Sequence, residues 1–239
     1  MRLLSVAEIY SEWWDLFSRM VDILVTEVQG GEIDRGLLAA SELMHAGAID
    51  SVVGRGEYLT ARTWLRRTLA EYLRYPASIV RLGGGQEIMD KVVSPTTDLR
   101  FSFCYTGSLA VLAMAFRQDV GVAAKRLDDG ELPGRVDAEL TVDEQLKVAR
   151  SHDPQRTFWK LAVRKRALAK SVPEDLAGKT GDLDVTGPSP VEHLGRQIID
   201  LYIADDVVAA IATPPGAKID LIVDDSIKLP ALETVVTAK

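Results

Sequence analysis

Three apolar segments in the middle of the chain constrain the fold more than any other feature. They read RFSFCYTG, LAVLAMAF and QDVGVAAKRL and together occupy residues 100–127, with very few residues between them. Each segment is short and bounded by polar or turn residues, which is typical of a strand. Consecutive strands joined by short turns usually pair as neighbours, so the sequence predicts a three-stranded antiparallel meander here.

Helical patterns precede and follow this predicted meander. In residues 56–75, apolar side chains recur at helical spacing, and Pro76 ends the pattern. Residues 34–46 also look helical, and a second long helix is predicted over 157–171. A short helix should begin near Thr141, because Thr141 and Glu144 have the spacing of a capping box.

The remaining apolar runs read as strands. These runs are residues 21–25, 183–187, 197–205, 206–214 and 218–224. The order of helices followed by strands therefore occurs twice, which predicts an α+β protein made of two similar halves. We assign an N-terminal helical extension (1–20), a first lobe (21–116), a second lobe (117–226) and a C-terminal tail (227–239).

Charge and composition exclude several classes of function. The net charge of −7 argues against a nucleic-acid partner held by a basic face. A single cysteine, Cys104, excludes an internal disulfide and suits a reducing cytoplasm. No apolar run approaches the roughly 20 residues that span a bilayer, and acidic residues interrupt the N-terminal apolar pattern. We therefore expect a cytoplasmic protein with neither a membrane nor a nucleic-acid partner.

Four stretches, taken in order, resemble the 4′-phosphopantetheinyl transferase superfamily in its two-lobed, surfactin-synthetase-activator type. They are RFSFCYTGSLAVLAMAF, QDVGVAAKRL, LAVRKRALAKS and DLYIADDVVAAIA. In that family the corresponding motifs are a strand–Ser-His-Ser-Gly–strand unit, V-G-V-D-x-E-R, W-[ST]-x-K-E-A-x-x-K and a closing pair of strands. The resemblance covers about residues 21–224. It implies a pseudo-two-fold pair of similar α/β lobes with antiparallel sheets and a cleft between them.

The residues at the family's chemical positions depart from its pattern. Family members use Mg²⁺ to transfer phosphopantetheine from coenzyme A to a carrier protein, and hard oxygen ligands hold the metal. The three carboxylates of that site align with Ala123, Lys125 and Arg166, and the turn histidine aligns with Tyr105. Two cations in place of two carboxylates should repel a divalent ion. We therefore predict no metal and no coenzyme A cofactor.

Other coenzyme A contacts of the family are also missing. Its Gly-Lys-Pro element has no counterpart in residues 86–91, and a basic phosphate contact falls near Glu57. The positions that do match are turn, packing and basic residues: Gly107, Gly121, Val122, Arg126, Leu127, Arg164, Lys165, Ala167 and Lys170. The resemblance thus implies a kept scaffold with altered chemistry.

The same alignment supplies the candidate site. Tyr105 is the predicted proton donor, and Lys125 or Arg166 is predicted to stabilise an enolate. The predicted substrate-binding residues are Thr106, Ala123, Trp159, Lys170 and Glu57. Simpler interpretations stand beside these: a half-buried tyrosine at a strand end, solvated cations paired with carboxylates, and an ordinary lysine near a helix C-terminus.

Two hypotheses for the function follow, with a third behind them. The first is a metal-independent biosynthetic enzyme, such as a polyketide or other secondary-metabolite cyclase of antibiotic biosynthesis, acting on a small molecule in the cleft between the lobes. The second is a non-catalytic module that binds a carrier protein. The third is residual transferase activity through Asp128 and Asp129, which lie just beyond the expected metal position.

Overall fold

Helices and mainly antiparallel sheets give the chain an α+β fold. The computed structural model describes residues 20–83, 91–127 and 140–223. The predicted N-terminal helix up to residue 19, the tail 227–239, residues 86–90 and the pair Asp128 and Asp129 lie outside these ranges.

Within the described residues, the first half contains five strands and two α-helices. In chain order the elements are β1 (Met20–Glu27), a 3₁₀ turn (Arg35–Leu37), α1 (Ala40–Gly47), α2 (Val52–Leu73), β2 (Arg81–Gly83), β3 (Lys91–Ser94), β4 (Leu99–Thr106) and β5 (Leu109–Phe116). Helix α2 begins where the Ser51 side chain accepts a hydrogen bond from the Gly54 N–H at 3.1 Å. The predicted long helix is confirmed, and this cap starts it a turn earlier than the apolar pattern indicates.

The second half has the same general order and adds a final strand. Its elements are β6 (Gly121–Arg126), α3 (Val142–Ala149), α4 (Pro154–Ser171), α5 (Glu174–Ala177), a 3₁₀ turn (Thr180–Asp182), β7 (Val191–His193), β8 (Arg196–Leu201), β9 (Val207–Thr213) and β10 (Lys218–Val223). The strand predicted over 183–187 is wrong. The Val185 N–H there donates to the Glu144 carboxylate at 3.0 Å and not to a neighbouring strand.

The strands form two four-stranded sheets, ordered β10-β1-β5-β4 and β6-β9-β8-β7, and a separate β2-β3 pair. The predicted meander is therefore wrong in part. Strands β4 and β5 pair as expected, but β6 pairs with β9, because β1 already occupies the free edge of β5. Strand β10, which the sequence placed in the second lobe, pairs in parallel with β1 of the first sheet.

Side chains alternate between two faces of each sheet, and this creates a layered core. Inward-facing residues of both sheets share one apolar cluster, which includes Ile23, Val111, Val122 and Ile211. The outer face of the first sheet packs against α2, and that of the second packs against α4. The layers are thus helix, sheet, sheet and helix, with the largest apolar burial between the sheets.

The two sheets meet along the edges of β4 and β6, and we call this line the seam. Three alternate residues of β4, Ser102, Cys104 and Thr106, accept hydrogen bonds from backbone N–H groups of β6. The donors are Val122 (3.0 Å to Ser102 Oγ), Ala124 (to the Cys104 thiol) and Arg126 (2.9 Å to Thr106 Oγ1). Side chains thus satisfy the edge of a strand that in most sheets would pair with backbone.

A buried glutamate ties the short helix to the long helix in each half. Glu144 of α3 accepts from the Thr141 N–H at 2.8 Å and pairs with Lys165 of α4 at 2.5 Å, so the predicted capping box is confirmed. Glu42 of α1 pairs with Arg62 and Arg66 of α2 at 2.5 and 2.7 Å. In both cases removal of the carboxylate from water is offset by a cation and backbone donors.

Candidate functional site

Three of the predicted site residues meet around one indole ring. The Lys125 Nζ lies 5.1 Å from the ring centroid of Trp159, and the Arg166 guanidinium carbon lies 5.5 Å from the same centroid. Trp159 and Arg166 are seven residues apart on α4 and so share a face of that helix. Lys125 and Trp159 are half-buried, whereas Arg166 is exposed.

Small residues of β6 bring α4 close enough to build this cluster. Gly121 lies so near the helix that a Cβ there would stand 2.0 Å from the Ala167 carbonyl oxygen. Ala123, two residues on, is only 3% exposed and packs in the core beneath α4. Alternation then directs Lys125 to the same side, at the point where the strand leaves the core. Ala123, a predicted substrate contact, therefore offers almost no surface to a ligand.

Two cationic side chains, those of Lys125 and Arg166, lie beside this ring. Each cation–aromatic contact contributes about 0.5–1 kcal/mol at an exposed site. Two cations at this point would raise the cost of placing a divalent metal ion beside them. Among the residues that the structure describes, no group of three histidine, cysteine, aspartate or glutamate side chains has the arrangement of a metal site.

Tyr105 belongs to a second group of aromatic side chains, on the α2 side of β4. Its ring meets Tyr58 of α2 edge-on at 5.7 Å, and Tyr58 in turn lies 4.8 Å from the imidazole of His45. Burial raises the pKa of the Tyr105 hydroxyl, the Glu57 carboxylate raises it further, and Arg62 partly opposes them. The hydroxyl therefore stays protonated at neutral pH, which is the state a proton donor needs.

The seam sets the relation between these two groups. Tyr105 lies between Cys104 and Thr106 on β4, and Lys125 lies between the two β6 residues whose N–H groups those neighbours bind. The backbones of Tyr105 and Lys125 are thus adjacent across the seam, while the contacts of their side chains are with different helices. The structure therefore brings Tyr105 and Lys125 to the seam and places their side chains against different helices, whereas Arg166 lies on α4.

Thr106 and Lys170 are part of the seam itself. Thr106 is 9% exposed and its hydroxyl is bound to the Arg126 N–H. The Lys170 ammonium donates to the carbonyl oxygens of Phe103 and Val122 at 3.0 and 3.3 Å. Burial raises the pKa of the nearby Cys104 thiol, although the charge of Lys170 opposes this. Two of the three donors of Lys170 therefore hold β4 and β6 together.

The structure also shows roles that reasoning from the sequence missed. Arg126 links the seam to the turns around it, through an ion pair with Asp206 at 3.1 Å and a hydrogen bond to the Ser108 hydroxyl. Arg164 holds Asp200 through two bonds of 2.7 Å and also donates to the carbonyl oxygens of two residues in the loop 185–187. The basic residues that match the family motifs thus anchor the scaffold. The polar alternation in SFCYT was the available signal for the seam.

A surface cavity of about 460 Å³ lies away from all these residues. It is formed by one face of α3 and the start of α4, and is lined by Asp143, Leu146, Lys147, Arg150, Ser151 and Thr157. None of the predicted site residues contributes to it. The cavity therefore gives no support to a ligand site at the seam.

Comparison with known proteins adds no support to the family resemblance, which rests on the sequence motifs alone. A scan against known protein families and a search of curated proteins both found no match to this chain. Within residues 20–83, 91–127 and 140–223, no helix has the length and apolar character needed to cross a bilayer.

Proposed function

We propose that the chain is a phosphopantetheinyl-transferase-like protein whose two halves are pseudo-two-fold related lobes. Two features support this proposal. In the first sheet β1 pairs with β5 and β5 with β4; in the second, β6 pairs with β9 and β9 with β8. In each half, therefore, the strand before the helices pairs with the second strand of the hairpin after them. Each half also ties its short helix to its long helix through a buried glutamate.

The proposed activity is that of a metal-independent cyclase of secondary metabolism, in the cytoplasm, acting on a polyketide-like substrate. The observation that carries it is the pair of cations, Lys125 and Arg166, on the ring of Trp159. In the sequence alignment they take the positions of the family's metal ligands, and they suit an oxyanion in place of a metal ion. For Tyr105 to act together with this cluster, the reacting carbons of the substrate would have to lie at the seam, where the backbones of Tyr105 and Lys125 are adjacent.

The reaction that fits these groups passes through an enolate. In ring closure by conjugate addition, a substrate hydroxyl oxygen bonds to the β-carbon of an enone as the α,β π bond breaks, and the hydroxyl proton passes to water. The carbonyl oxygen takes up the negative charge next to Lys125 and Arg166, and the α-carbon then receives a proton from Tyr105, the proposed donor, which regains its proton from water. Dehydration uses the same enolate, formed when an α-proton passes to water; the β-hydroxyl then takes a proton from Tyr105 and leaves as water.

Deletion of the gene from its source organism tests this proposal, and the compound that accumulates identifies the substrate. A cyclase mutant should accumulate a compound with the elemental composition of the final product, or one heavier by a single water, as read by mass spectrometry. The purified protein should convert that compound in the presence of EDTA. The K125Q and R166Q variants should slow conversion by about tenfold or more, and R117Q is the matched control at a distant exposed arginine.

Full conversion by a K125Q/R166Q/Y105F triple variant would show that the residues are wrongly assigned. Robust transfer of phosphopantetheine from coenzyme A with Mg²⁺ would overturn the proposal altogether and favour residual transferase activity.

A second candidate function is a carrier-protein-binding module without catalysis. It is favoured by the burial of Ala123 and by the seam bonds of Thr106 and Lys170, which leave few predicted site residues open. Binding of an unmodified carrier protein by the purified chain, with no change in the metabolite profile of the deletion strain, would support this candidate over the cyclase.

A further inference from the structure

The outer face of helix α3 exposes two apolar side chains next to two charges of opposite sign. Val142 and Leu146, one turn apart, are 72% and 46% exposed, and Asp143 and Arg150 line the surface cavity together with Leu146. We infer that this outer face binds the same face of a second copy of the chain, across a two-fold axis. None of the predicted site residues lines the cavity, so the inference is independent of the proposed activity.

The first argument is the position of the two charges along the helix. Asp143 lies in the first turn of α3, and Arg150 lies seven residues later at its C-cap, so both lie on one side of the helix near its two ends. When two such helices pack antiparallel about a two-fold axis, Asp143 of each copy lies opposite Arg150 of the other. A single contact, made twice by symmetry, therefore gives two ion pairs.

The second argument is that both charges are available to a partner. Within the part of the chain that the structure describes, neither the Asp143 carboxylate nor the Arg150 guanidinium forms a hydrogen bond or an ion pair. Lys147, the third charged residue of this face, donates to the Thr186 carbonyl oxygen at 2.5 Å and is thus engaged within its own chain. A purely acidic or purely basic partner would match only one of the two available charges, whereas a second copy matches both.

The third argument is the apolar centre of the face. When position 143 lies opposite position 150 of the other copy, position 146 lies opposite position 147. The two Leu146 side chains then lie close to the two-fold axis, where each covers the other and the aliphatic part of Lys147. The cavity of about 460 Å³ next to Leu146 gives room for side chains of the second copy. An apolar centre with a charged rim is the usual arrangement of a protein–protein interface.

The contact is small, and this sets the expected strength of the dimer. Helix α3 has eight residues and is therefore about 12 Å long. An interface of this size lies at the low end of the specific range, so we expect a dissociation constant on the order of 10–100 µM. Sedimentation equilibrium of the purified chain at about 5 to 500 µM brackets that value. A chain that stays monomeric throughout would overturn the inference.

Reversal of the charges tests the pairing itself. D143R and R150D should each weaken the dimer by about tenfold or more, because each places like charges opposite one another at two sites. The D143R/R150D double variant restores opposite charges and should dimerise nearly as well as the unsubstituted chain. Its recovery would also show that neither substitution acts by unfolding α3. A dimer that withstands D143R, or a double variant that remains monomeric, would contradict the two-fold pairing.

An acidic side chain at the apolar centre completes the design. L146D should weaken the dimer by about tenfold or more, because it brings a carboxylate into the centre of the contact. M44D is the matched control, since Met44 follows the buried Glu42 by two residues on α1, as Leu146 follows Glu144 on α3, and is 72% exposed. It should leave dimerisation unchanged. A dimer that M44D breaks and L146D leaves intact would place the interface on the first half and overturn the inference.

Discussion

The two halves of the molecule attach their helices through the same kind of buried charge, but with different partners. Glu42 in the first half is held by two arginines and by the Ala39 N–H at 2.7 Å. Glu144 in the second is held by a single lysine and by two backbone N–H groups. Glu144 is fully buried, whereas Glu42 retains 6% of its surface.

This difference shows what each half uses the carboxylate for. In the first half the arginines come from α2 alone, so the contact fixes one helix against another. In the second, one of the N–H donors is Val185, which lies in the irregular segment before β7. Glu144 therefore also positions a loop, and the second half depends on it more heavily than the first half depends on Glu42.

The largest effect should come from Glu144→Ala. It leaves Lys165 buried without its carboxylate and removes the acceptor of two N–H groups, so the free energy of unfolding should fall by about 3–5 kcal/mol. Urea denaturation at neutral pH measures the loss. The exposed Glu71→Ala in α2 is the control and should change stability by less than about 0.5 kcal/mol. If Glu42→Ala lowers the free energy of unfolding more than Glu144→Ala does, the first half depends more on its buried glutamate than the second, contrary to our expectation.

Gly121→Ala should have the next largest effect, since it forces α4 away from β6. The new Cβ would meet the backbone of Ala167 and Ser171, which cannot yield as a flexible side chain does. A loss of about 1–3 kcal/mol is expected. Gly56→Ala, in the interior of α2 with open space around the new methyl group, should raise stability by about 0.5–1 kcal/mol. If both substitutions change the free energy of unfolding in the same direction, the close approach of α4 to β6 is not a packing requirement.

Ser102→Ala should cost less, and it tests the boundary between the halves. The Val122 N–H would lose its acceptor in a buried seam, at about 1–2 kcal/mol of unfolding free energy. Cys104→Ser is the matched control because it keeps an acceptor for the Ala124 N–H. Faster amide hydrogen exchange confined to β6 in the Ser102→Ala protein would locate the effect at the seam. Unchanged exchange there would contradict the assigned role.

The smallest effect is a change in pH dependence, which tests the contact of Glu42 in the first half. Burial raises the pKa of the Glu42 carboxyl, but the hydrogen bond from Arg66 and the charge of Arg62 outweigh it, so the pKa lies below the ordinary value. A lowered folded-state pKa gives stability that is present above the unfolded pKa of about 4.3 and lost as the pH falls through the folded value.

Glu42→Gln should therefore lose less stability than the unsubstituted protein when the pH is lowered below about 4. Denaturation curves recorded at several pH values measure this difference, with the exposed Glu192→Gln as the control. If Glu42→Gln and the unsubstituted protein lose stability equally as the pH falls, Glu42 is not the titrating group.

The sequence predicts local structure well where the pattern is periodic or the cap is explicit. The helices over 56–75 and 157–171 and the Thr141–Glu144 capping box are confirmed. The pairing of β6 with β9 could not be read from the chain, because nothing near β6 shows that β1 already occupies β5. The parallel addition of β10 to β1 is equally non-local.

For the candidate site, the sequence indicated which positions matter but not which atoms their side chains contact. The family motifs indicated Lys125 and Arg166, and Trp159 was proposed as a residue lining the cleft. The structure places Lys125 and Arg166 beside the ring of Trp159. Those motifs could not show that Lys170 is bound to two carbonyl groups or that Ala123 lies beneath α4. Such facts depend on the distance between a strand and a helix, which Gly121 sets.

The seam has a further consequence for the protein in solution. A sheet edge with free N–H groups is a template on which another chain can add as a strand, and this is a common start of aggregation. At the seam, two of the four edge strands of the main sheets, β4 and β6, face each other. Side chains of β4 accept hydrogen bonds from three N–H groups of β6. Opening the seam would expose both edges at once, so its small hydroxyl and thiol groups protect the chain against self-association.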